Sequence, residues 1–281
     1  MRIIVTGAGG QLGSDLVRLA AQRGWDVYGY GREELDITDL EAVRERVAAI
    51  RPDAILHSAA YTKVDLAEQE IDLAYRVNAL GTRNIAVAAE QAGARLCYIS
   101  TDYVFDGTSK VPYREYDPTN PLSVYGKTKL AGERLAASLS SRYFIVRTAW
   151  VYGKHGSNFV KTMLRLASEQ RELRVVHDQI GSPTYTVDLA EFLLELVQTE
   201  KYGLYHATNT GSCSWYEFAR AIFEEAGVEV QVHPVSTAEF PRPAPRPHYS
   251  VLDHMAIRTN GLRDLRHWRE GLRAYFADSS D

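Results

Sequence analysis

Short runs of β-branched residues alternate with amphipathic helical patterns through the first half of the chain. Each strand-like run is followed by apolar residues at helical spacing, and the runs lie at 3–5, 26–30, 54–57, 96–100 and 144–147. Repeated strand–helix–strand order predicts a parallel sheet covered by helices on both faces, with ligands at the carboxyl ends of the strands. The fold predicted is therefore α/β, with a doubly wound, Rossmann-type parallel sheet. A long helix is expected from about residue 66 to residue 91.

The pattern changes after Trp150 to helices separated by loops rich in Gly, Pro and His. We therefore predict a dinucleotide-binding domain over residues 1–150 and a smaller α/β substrate-binding domain over residues 151–281. The segment at about 184–210 could return to the first domain as a helix and a strand.

Composition narrows the class of protein. Of the 281 residues, 45% are hydrophobic and 24% are charged, which is typical of globular proteins and argues against disordered or membrane classes. The net charge of -4 without a basic run argues against a nucleic-acid partner. Cys97 and Cys213 have neither a disulfide pattern nor a metal-binding spacing, and no signal peptide or membrane span is recognisable. A cytoplasmic location and no membrane partner are expected.

A glycine-rich turn lies between the first strand and the first helix. It contains Gly7, Gly10 and Gly13. Glycines in this context permit a tight turn and let backbone N–H groups at the start of the helix approach a pyrophosphate. The turn predicts a dinucleotide cofactor.

The ends of the second and third strands indicate how that cofactor is held. Arg32 follows the second strand and favours the 2′-phosphate of NADPH, although a solvated surface arginine is an alternative and NADH is possible. Asp36 and Ile37 come next; Asp36 is a candidate for adenine contact, with an acidic loop residue or a helix cap as the alternative. Ala60 and its small neighbours after the third strand would let the backbone lie against the cofactor.

Tyr125 and Lys129 are four residues apart, a spacing that brings two side chains to one face of a helix. An ammonium beside a phenol favours the phenolate, so Lys129 is expected to lower the pKa of Tyr125. Thr101 ends the fourth strand. In ketone reduction Tyr125 would donate the proton, Thr101 would hydrogen-bond the carbonyl, and Lys129 would also hold the nicotinamide ribose.

Several segments resemble the extended short-chain dehydrogenase/reductase superfamily and, within it, the dTDP-4-dehydrorhamnose reductase family. They cover nearly the whole chain and lie at 100–105, 121–129, 149–152, 178–184 and 246–253. The resemblance implies NADPH-dependent reduction of the 4-keto group of dTDP-6-deoxy-L-lyxo-4-hexulose (dTDP-4-dehydro-L-rhamnose) to dTDP-L-rhamnose.

Matched residue by residue, the resemblance also implies a role for each site residue. The sugar would contact Thr101, Asp102 and Trp150. The reaction centre would contain Tyr125 and Lys129, which also touch the cofactor. The other cofactor contacts implied are Gly10, Gln11, Leu12, Ala60, Tyr61 and Thr62. Asn78 matches the superfamily's structural asparagine, with a plain helix-interior asparagine as the alternative.

Three further side chains are candidates for the substrate. Trp150 follows a strand, where a bulky aromatic residue is either core or a flat wall for a deoxysugar. Arg242 and Arg246 lie in a proline-rich loop, and guanidinium donors match the oxygens of a diphosphate. An exposed Pro/Arg loop is the alternative.

A metal is not expected. Some members of the resembling family are thought to dimerise through magnesium held by glutamates, whereas this chain has Asp15 and an apolar residue near Asp188 at the corresponding places. A homodimer through another surface is left open.

Two other functions share these motifs. A nucleotide-sugar epimerase or dehydratase would have the same fold, but a dehydratase needs a second acid where Tyr103 follows Asp102. A non-catalytic regulatory subunit could also use the fold, although it would not need Tyr125, Lys129 and Thr101 together.

Overall fold

The computed structural model describes residues 1–279; residues 280–281 of the predicted second domain lie outside this range. The strands are β1 Arg2–Thr6, β2 Asp26–Tyr30, β3 Ala54–His57, β4 Arg95–Thr101, β5 Tyr143–Thr148, β6 Val151–Tyr152, β7 Glu172–Val176, β8 Ile180–Gly181, β9 Thr184–Tyr185, β10 Gly203–His206, β11 Asn209–Thr210, β12 Cys213–Ser214, β13 Gln231–Val235 and β14 Leu265–His267. The α-helices are α1 Gln11–Gln22, α2 Leu40–Ile50, α3 Val64–Ala67, α4 Ile71–Tyr75, α5 Thr82–Ala92, α6 Val124–Leu139, α7 Phe159–Glu169, α8 Thr186–Leu196, α9 Trp215–Ala226, α10 Met255–Thr259 and α11 Trp268–Ser279. Short 3₁₀ turns cover Asp102–Val104 and Thr237–Glu239.

The main sheet has six parallel strands in the order β10-β5-β4-β3-β1-β2. The chain leaves β1 toward β2 on one side and later adds β3 on the other side. The strand order therefore reverses between β1 and β3, where an open α/β sheet leaves a crevice at the carboxyl ends of its strands. The predicted doubly wound parallel sheet is confirmed.

Helices cover both faces of this sheet, which explains why its central strands are continuous apolar runs. Ile3, Ile4 and Val5 are all fully buried. One face packs against Leu16 of α1 and other residues of α1 and α8, and the opposite face packs against Val43 and other residues of α2 and α5. Each fully buried aliphatic side chain stabilises the fold by about 2 kcal/mol.

The later part of the chain contributes to two regions. Strand β10 pairs with β5 at the edge of the main sheet, and α8 packs against α1. Helices α7, α9 and α11 instead surround an aromatic cluster that includes Tyr152, Phe218 and Trp268. The C-terminal segment at 247–253 runs beside the loop at 105–113, with Tyr113 N–H donating to the Val251 carbonyl at 2.9 Å. This pairing brings C-terminal residues to the carboxyl end of β4.

The helical stretch expected from about residue 66 to residue 91 is present without interruption from residue 71 to residue 92, where α4, a π-helical stretch at Arg76–Gly81 and α5 follow one another. A break at residues 68–70 separates it from the short helix α3. The π-helical stretch contains Asn78, whose side chain accepts a hydrogen bond from the Tyr61 N–H and donates one to the Tyr61 carbonyl. The π-helical stretch therefore contains a residue with tertiary contacts, and side-chain periodicity does not report such a stretch.

No helix within residues 1–279 is both long enough and apolar enough to span a bilayer.

Candidate active site

The glycine turn after β1 is shaped by two close backbone approaches. Gly7 has φ of 70°, and a Cβ there would lie 2.7 Å from the Ala59 nitrogen. A Cβ on Gly13 would lie 2.1 Å from the Gly7 carbonyl oxygen. No side chain caps the start of α1, so its first N–H groups face the turn without a side-chain acceptor. The turn fits a dinucleotide pyrophosphate, because it combines close backbone approach with free N–H donors.

The next residues of the turn have different environments. Gly10 N–H donates to the Gly7 carbonyl at 2.9 Å, which closes the turn. Gln11 is partly exposed, and its Oε1 accepts a hydrogen bond from Asn158 at 3.0 Å. Leu12 is buried in the core. Only its backbone could therefore face a cofactor.

The end of β2 carries charges of both signs. Arg32 is exposed and makes no hydrogen bond or ion pair with any residue in 1–279. Glu34 accepts a hydrogen bond from the Gly31 N–H at 2.6 Å. Asp36 accepts from the Thr38 N–H at 2.9 Å, and this backbone hydrogen bond lowers the pKa of the Asp36 carboxyl. Asp36 is thus an acidic loop residue bound to Thr38, whereas the cap of α2 is Asp39.

Its neighbour Ile37 is buried and packs against Gly81, where a Cβ would lie 2.7 Å from the Ile37 side chain. The Ile37 carbonyl accepts a hydrogen bond from the Asn84 amide at 3.0 Å. These contacts fix the loop that follows Asp36.

The segment after β3 is held by Asn78. The Tyr61 N–H donates to Asn78 at 2.7 Å, and the Asn78 amide donates to the Tyr61 carbonyl at 3.1 Å and to Thr128 at 3.0 Å. Ala60 is partly buried and Thr62 is exposed at the crevice side of this segment. Asn78 therefore connects the predicted cofactor-binding segment to α6, which distinguishes it from a plain helix-interior asparagine.

Helix α6 lies directly against the end of β4. Ser123 caps it by accepting from the Gly126 N–H at 3.1 Å, and a Cβ on Gly126 would lie 2.2 Å from the Tyr103 carbonyl oxygen. This close approach brings the Tyr125 ring into edge contact with Tyr103 at a centroid distance of 5.5 Å. The Thr101 hydroxyl acts against the larger effect of burial, which raises the pKa of Tyr125, while its own hydrogen bonds go to Asp102 at 3.0 Å and come from the Tyr103 N–H at 3.2 Å. The structure thus places two of the three predicted catalytic side chains at the same end of β4.

The electrostatics at Tyr125 differ from the sequence expectation. Burial raises the pKa of Tyr125 to about 12, while the Thr101 hydroxyl acts in the opposite direction. The Lys129 ammonium instead donates to the Ile99 carbonyl at 2.6 Å. Burial also lowers the pKa of Lys129 to about 7. The shift at Tyr125 is therefore opposite to the one expected, because desolvation outweighs any effect of a lysine whose ammonium binds the strand.

Asp102 is a buried carboxylate beside these groups. Burial raises its pKa to about 6, and the Ser250 and Thr101 hydroxyls act in the opposite direction. Its Oδ1 accepts from Thr101 at 3.0 Å, and its Oδ2 has no hydrogen-bond partner within residues 1–279. Asp102 therefore offers a free acceptor next to Tyr125 and Thr101. Ser250 was not singled out from the sequence, although it lies in one of the segments that carry the family resemblance.

Trp150 is partly buried and lies at the boundary between the main sheet and the aromatic cluster. Its backbone has φ of 48°, and its ring stacks on Trp215 with centroids 3.4 Å apart. A Cβ on Gly181 would lie 2.5 Å from the Trp150 ring. The ring is thus firmly placed, and it has both packing contacts and exposed surface.

The two candidate arginines meet the same carboxylate. Arg246 binds Asp65 through two hydrogen bonds of 2.7 and 3.0 Å, and Arg242 lies 4.0 Å from it. The Arg246 charge also lowers the pKa of Tyr103, against a larger effect of burial that raises it. Arg246 is therefore close to the reactive end of the site, and Asp65 holds its loop there.

The carboxylates at and near the positions where relatives are thought to bind magnesium accept hydrogen bonds from other side chains of the protein. Buried Asp15 accepts from Thr186 at 2.6 Å and from Arg18 at 2.9 Å, and Asp188 accepts from Arg266. Within residues 1–279, no three His, Cys, Asp or Glu side chains form a group that could hold a metal ion. The absence of a metal stays a prediction, as does homodimerisation.

Sequence reasoning missed a buried network behind the site. Glu133 accepts from Ser100 at 2.5 Å and from Arg147 at 2.9 and 2.8 Å, and Arg147 lies 3.3 Å from His206. Glu133 follows Lys129 by four residues and therefore shares its helix face. That spacing was the sequence signal that could have pointed to Glu133. Only the tertiary structure shows that Glu133 pairs with Arg147.

Comparison with known proteins shows to which family the chain belongs. The sequence profile described as "RmlD substrate binding domain" matches residues 1–280. The chain is 47% identical to the dTDP-4-dehydrorhamnose reductase of Streptomyces griseus, over 98% of this chain and 93% of that protein. The chain belongs to the dTDP-4-dehydrorhamnose reductase family. The predicted family, and with it an oxidoreductase, is confirmed.

Two further known proteins are similar to this chain over nearly its whole length. The chain is 49% identical to the spore coat polysaccharide biosynthesis protein SpsK of Bacillus subtilis (strain 168), over 99% of this chain and 98% of that protein. A crystal structure of dTDP-4-dehydrorhamnose reductase from Bacillus anthracis in complex with NADP is 51% identical, with a TM-score of 0.97 and 99% of each chain covered. The whole described fold, and not only the sheet, is therefore shared with this family.

Proposed function

We propose that this protein reduces the 4-keto group of dTDP-4-dehydro-L-rhamnose to dTDP-L-rhamnose, with NADPH as the reductant. The observation that carries the proposal is the packing of Tyr125 against Tyr103, which is hydrogen-bonded to Thr101, at the carboxyl end of β4 and in the same sheet as the glycine turn. The reductase from Streptomyces griseus and the NADP complex from Bacillus anthracis support the substrate and the cofactor.

The chain has suitable residues to hold the cofactor. Gly7, Gly10 and the uncapped start of α1 would bind the pyrophosphate through backbone N–H groups. Arg32 is free to bind a 2′-phosphate, whereas the Glu34 carboxylate beside Gly31 suits a ribose hydroxyl and keeps NADH use open. When bound, the reduced nicotinamide supplies the hydride.

Tyr125 would donate its proton to the ketone oxygen. A pKa of about 12 keeps the phenol protonated throughout the neutral range, so the proton is present, and the positive charge of Lys129 would lower that pKa as the proton is transferred. The Thr101 hydroxyl, which donates to Asp102 in this structure, would turn to donate a hydrogen bond to the same oxygen. Lys129, one helical turn away, would stabilise the phenolate that remains and contact the cofactor ribose through the N–H donors that the Ile99 carbonyl does not accept. The chain's own residues thus provide the proton and stabilise the charge that its transfer leaves.

The substrate would lie between Asp102, Trp150 and the arginine loop. The free Oδ2 of Asp102 can accept from a sugar hydroxyl, and the partly exposed Trp150 ring offers a flat apolar wall. Arg242 and Arg246 carry donors that match a diphosphate. The magnitude of each contribution depends on how far Asp65 competes for the guanidinium groups.

The test is stoichiometry with the purified protein. NADPH and dTDP-4-keto-6-deoxy sugar should be consumed one for one, with dTDP-L-rhamnose as the product. Tyr125→Phe should lose most turnover while binding NADPH nearly as well, and Tyr116→Phe, at an exposed tyrosine, is the matched control. Turnover without net NADPH oxidation would favour an epimerase. Binding without turnover in the unmodified protein would favour a regulatory subunit.

A further inference from the structure

Lys129 lies at one end of a stack of three buried side chains. Its Nζ is 4.2 Å from the centroid of the Tyr98 ring. The Tyr98 ring in turn lies 5.6 Å from the His57 ring, with 30° between their planes. The stack therefore runs from α6 through β4 to β3.

The Tyr98 ring is held in place from several sides. The side chain is fully buried, and its hydroxyl donates to the Lys129 carbonyl at 3.3 Å. Helix α6 leaves room for this hydroxyl only because residue 132 is glycine, since a Cβ there would lie 2.4 Å from the Tyr98 oxygen. The ring thus cannot move away from Lys129 without moving the helix.

His57 supports the opposite side of the ring without adding charge. It is fully buried between the Thr6 hydroxyl, 2.7 Å from Nδ1, and the Thr82 hydroxyl, 3.1 Å from Nε2. Burial and the Lys129 charge lower its pKa to about 3. His57 is therefore neutral at physiological pH and does not repel the ammonium.

The Lys129 ammonium needs more than one partner because it is buried and has three N–H donors. The Ile99 carbonyl accepts one of them at 2.6 Å. The electron-rich face of an aromatic ring is a favourable second neighbour for a desolvated cation. The Glu133 charge, on the same helix, also raises the pKa of Lys129 but acts against the larger effect of burial.

We propose that Tyr98 is a positioning residue for Lys129: its ring binds the ammonium through a cation–π contact and holds it at the carboxyl end of β4, one helical turn from Tyr125. The proposal rests on the proposed function in that Lys129 assists Tyr125. It adds a residue that touches neither substrate nor cofactor. The ring favours the charged form of Lys129 in this position.

Variants at residue 98 distinguish the effect of the Tyr98 ring from that of its hydroxyl. Tyr98→Phe keeps the aromatic face, so the pKa of Lys129 should change by less than about 0.3 units. Tyr98→Leu removes the aromatic face. Because the ring favours the charged lysine, the pKa of Lys129 should then fall by about one unit, which corresponds to the loss of one buried cation–π contact. Replacing residue 98 with phenylalanines of increasing fluorination keeps the ring shape and weakens its face. The pKa should then fall stepwise, even if the leucine variant does not fold.

The measurement is an NMR titration of the free protein labelled with ¹³C-lysine, with the Lys129 Cε signal assigned by its loss in Lys129→Arg. It requires neither cofactor nor substrate, so its outcome is independent of the reductase assignment. A second readout is the pH profile of kcat, whose alkaline limb should move to lower pH with fluorination but not in Tyr98→Phe. A Lys129 pKa that stays constant across the fluorinated series would overturn the proposal.

Discussion

The buried ion pair behind the site should be essential to stability. Glu133 and Arg147 have side chains that are only 6% and 4% exposed, and they form two hydrogen bonds of 2.9 and 2.8 Å. Ser100 donates a third bond to Glu133 at 2.5 Å. Removing one partner leaves the other charge buried without compensation, which costs about 3–5 kcal/mol.

We therefore expect Arg147→Met to lower the free energy of unfolding by about 3–5 kcal/mol, a large part of the 5–15 kcal/mol typical of a folded domain. Methionine keeps the length of the apolar stem, so the effect reports mainly the lost charge. The matched control is Arg165→Met, because Arg165 pairs with Glu169 on an exposed helix surface. That change should cost less than about 0.5 kcal/mol.

Urea unfolding monitored by circular dichroism at neutral pH would measure each value. The double variant Glu133→Leu/Arg147→Met should recover at least half of the summed loss, because it leaves no unpaired charge in the core. Strictly additive effects, or a loss below about 1 kcal/mol for Arg147→Met, would show that the buried pair is not coupled as described. The single variants should also lower turnover, since Ser100 adjoins Thr101.

Three further results are expected. Gly13→Ala should abolish NADPH binding in a fluorescence titration, since its Cβ would lie 2.1 Å from the Gly7 carbonyl, whereas Gly9→Ala, with open space around its Cβ, should bind normally. His57 has a folded pKa of about 3, below its unfolded value of about 6.5, so its contribution to stability is complete above pH 6.5 and is lost as pH falls toward 3, by up to about 1.4 kcal/mol per pH unit. Urea unfolding of His57→Gln across this range should show a shallower slope than the unmodified protein. Arg32→Ala should raise KM for NADPH about tenfold with little change for NADH, since it removes a charge-assisted hydrogen bond to the 2′-phosphate.

The sequence alone was sufficient for the parallel sheet and the family. Strand and helix patterns are local. The glycines of the first turn are required by close contacts within one strand–turn–helix unit, except that Gly7 also lies close to Ala59. The spacing of Tyr125 and Lys129 likewise placed both on one helix. These features depend on residues close in sequence, so their patterns are readable without a structure.

Tertiary structure decided what the charges do. Asp36 binds Thr38 within its own loop, Arg246 binds a carboxylate from a distant segment, and Lys129 contacts β4 instead of lowering the pKa of Tyr125. The pKa of Tyr125 is raised by the partial burial of its side chain, and no spacing of residues reports desolvation. Sequence determined which groups meet at the end of β4; burial and long-range pairing determined their protonation and their partners.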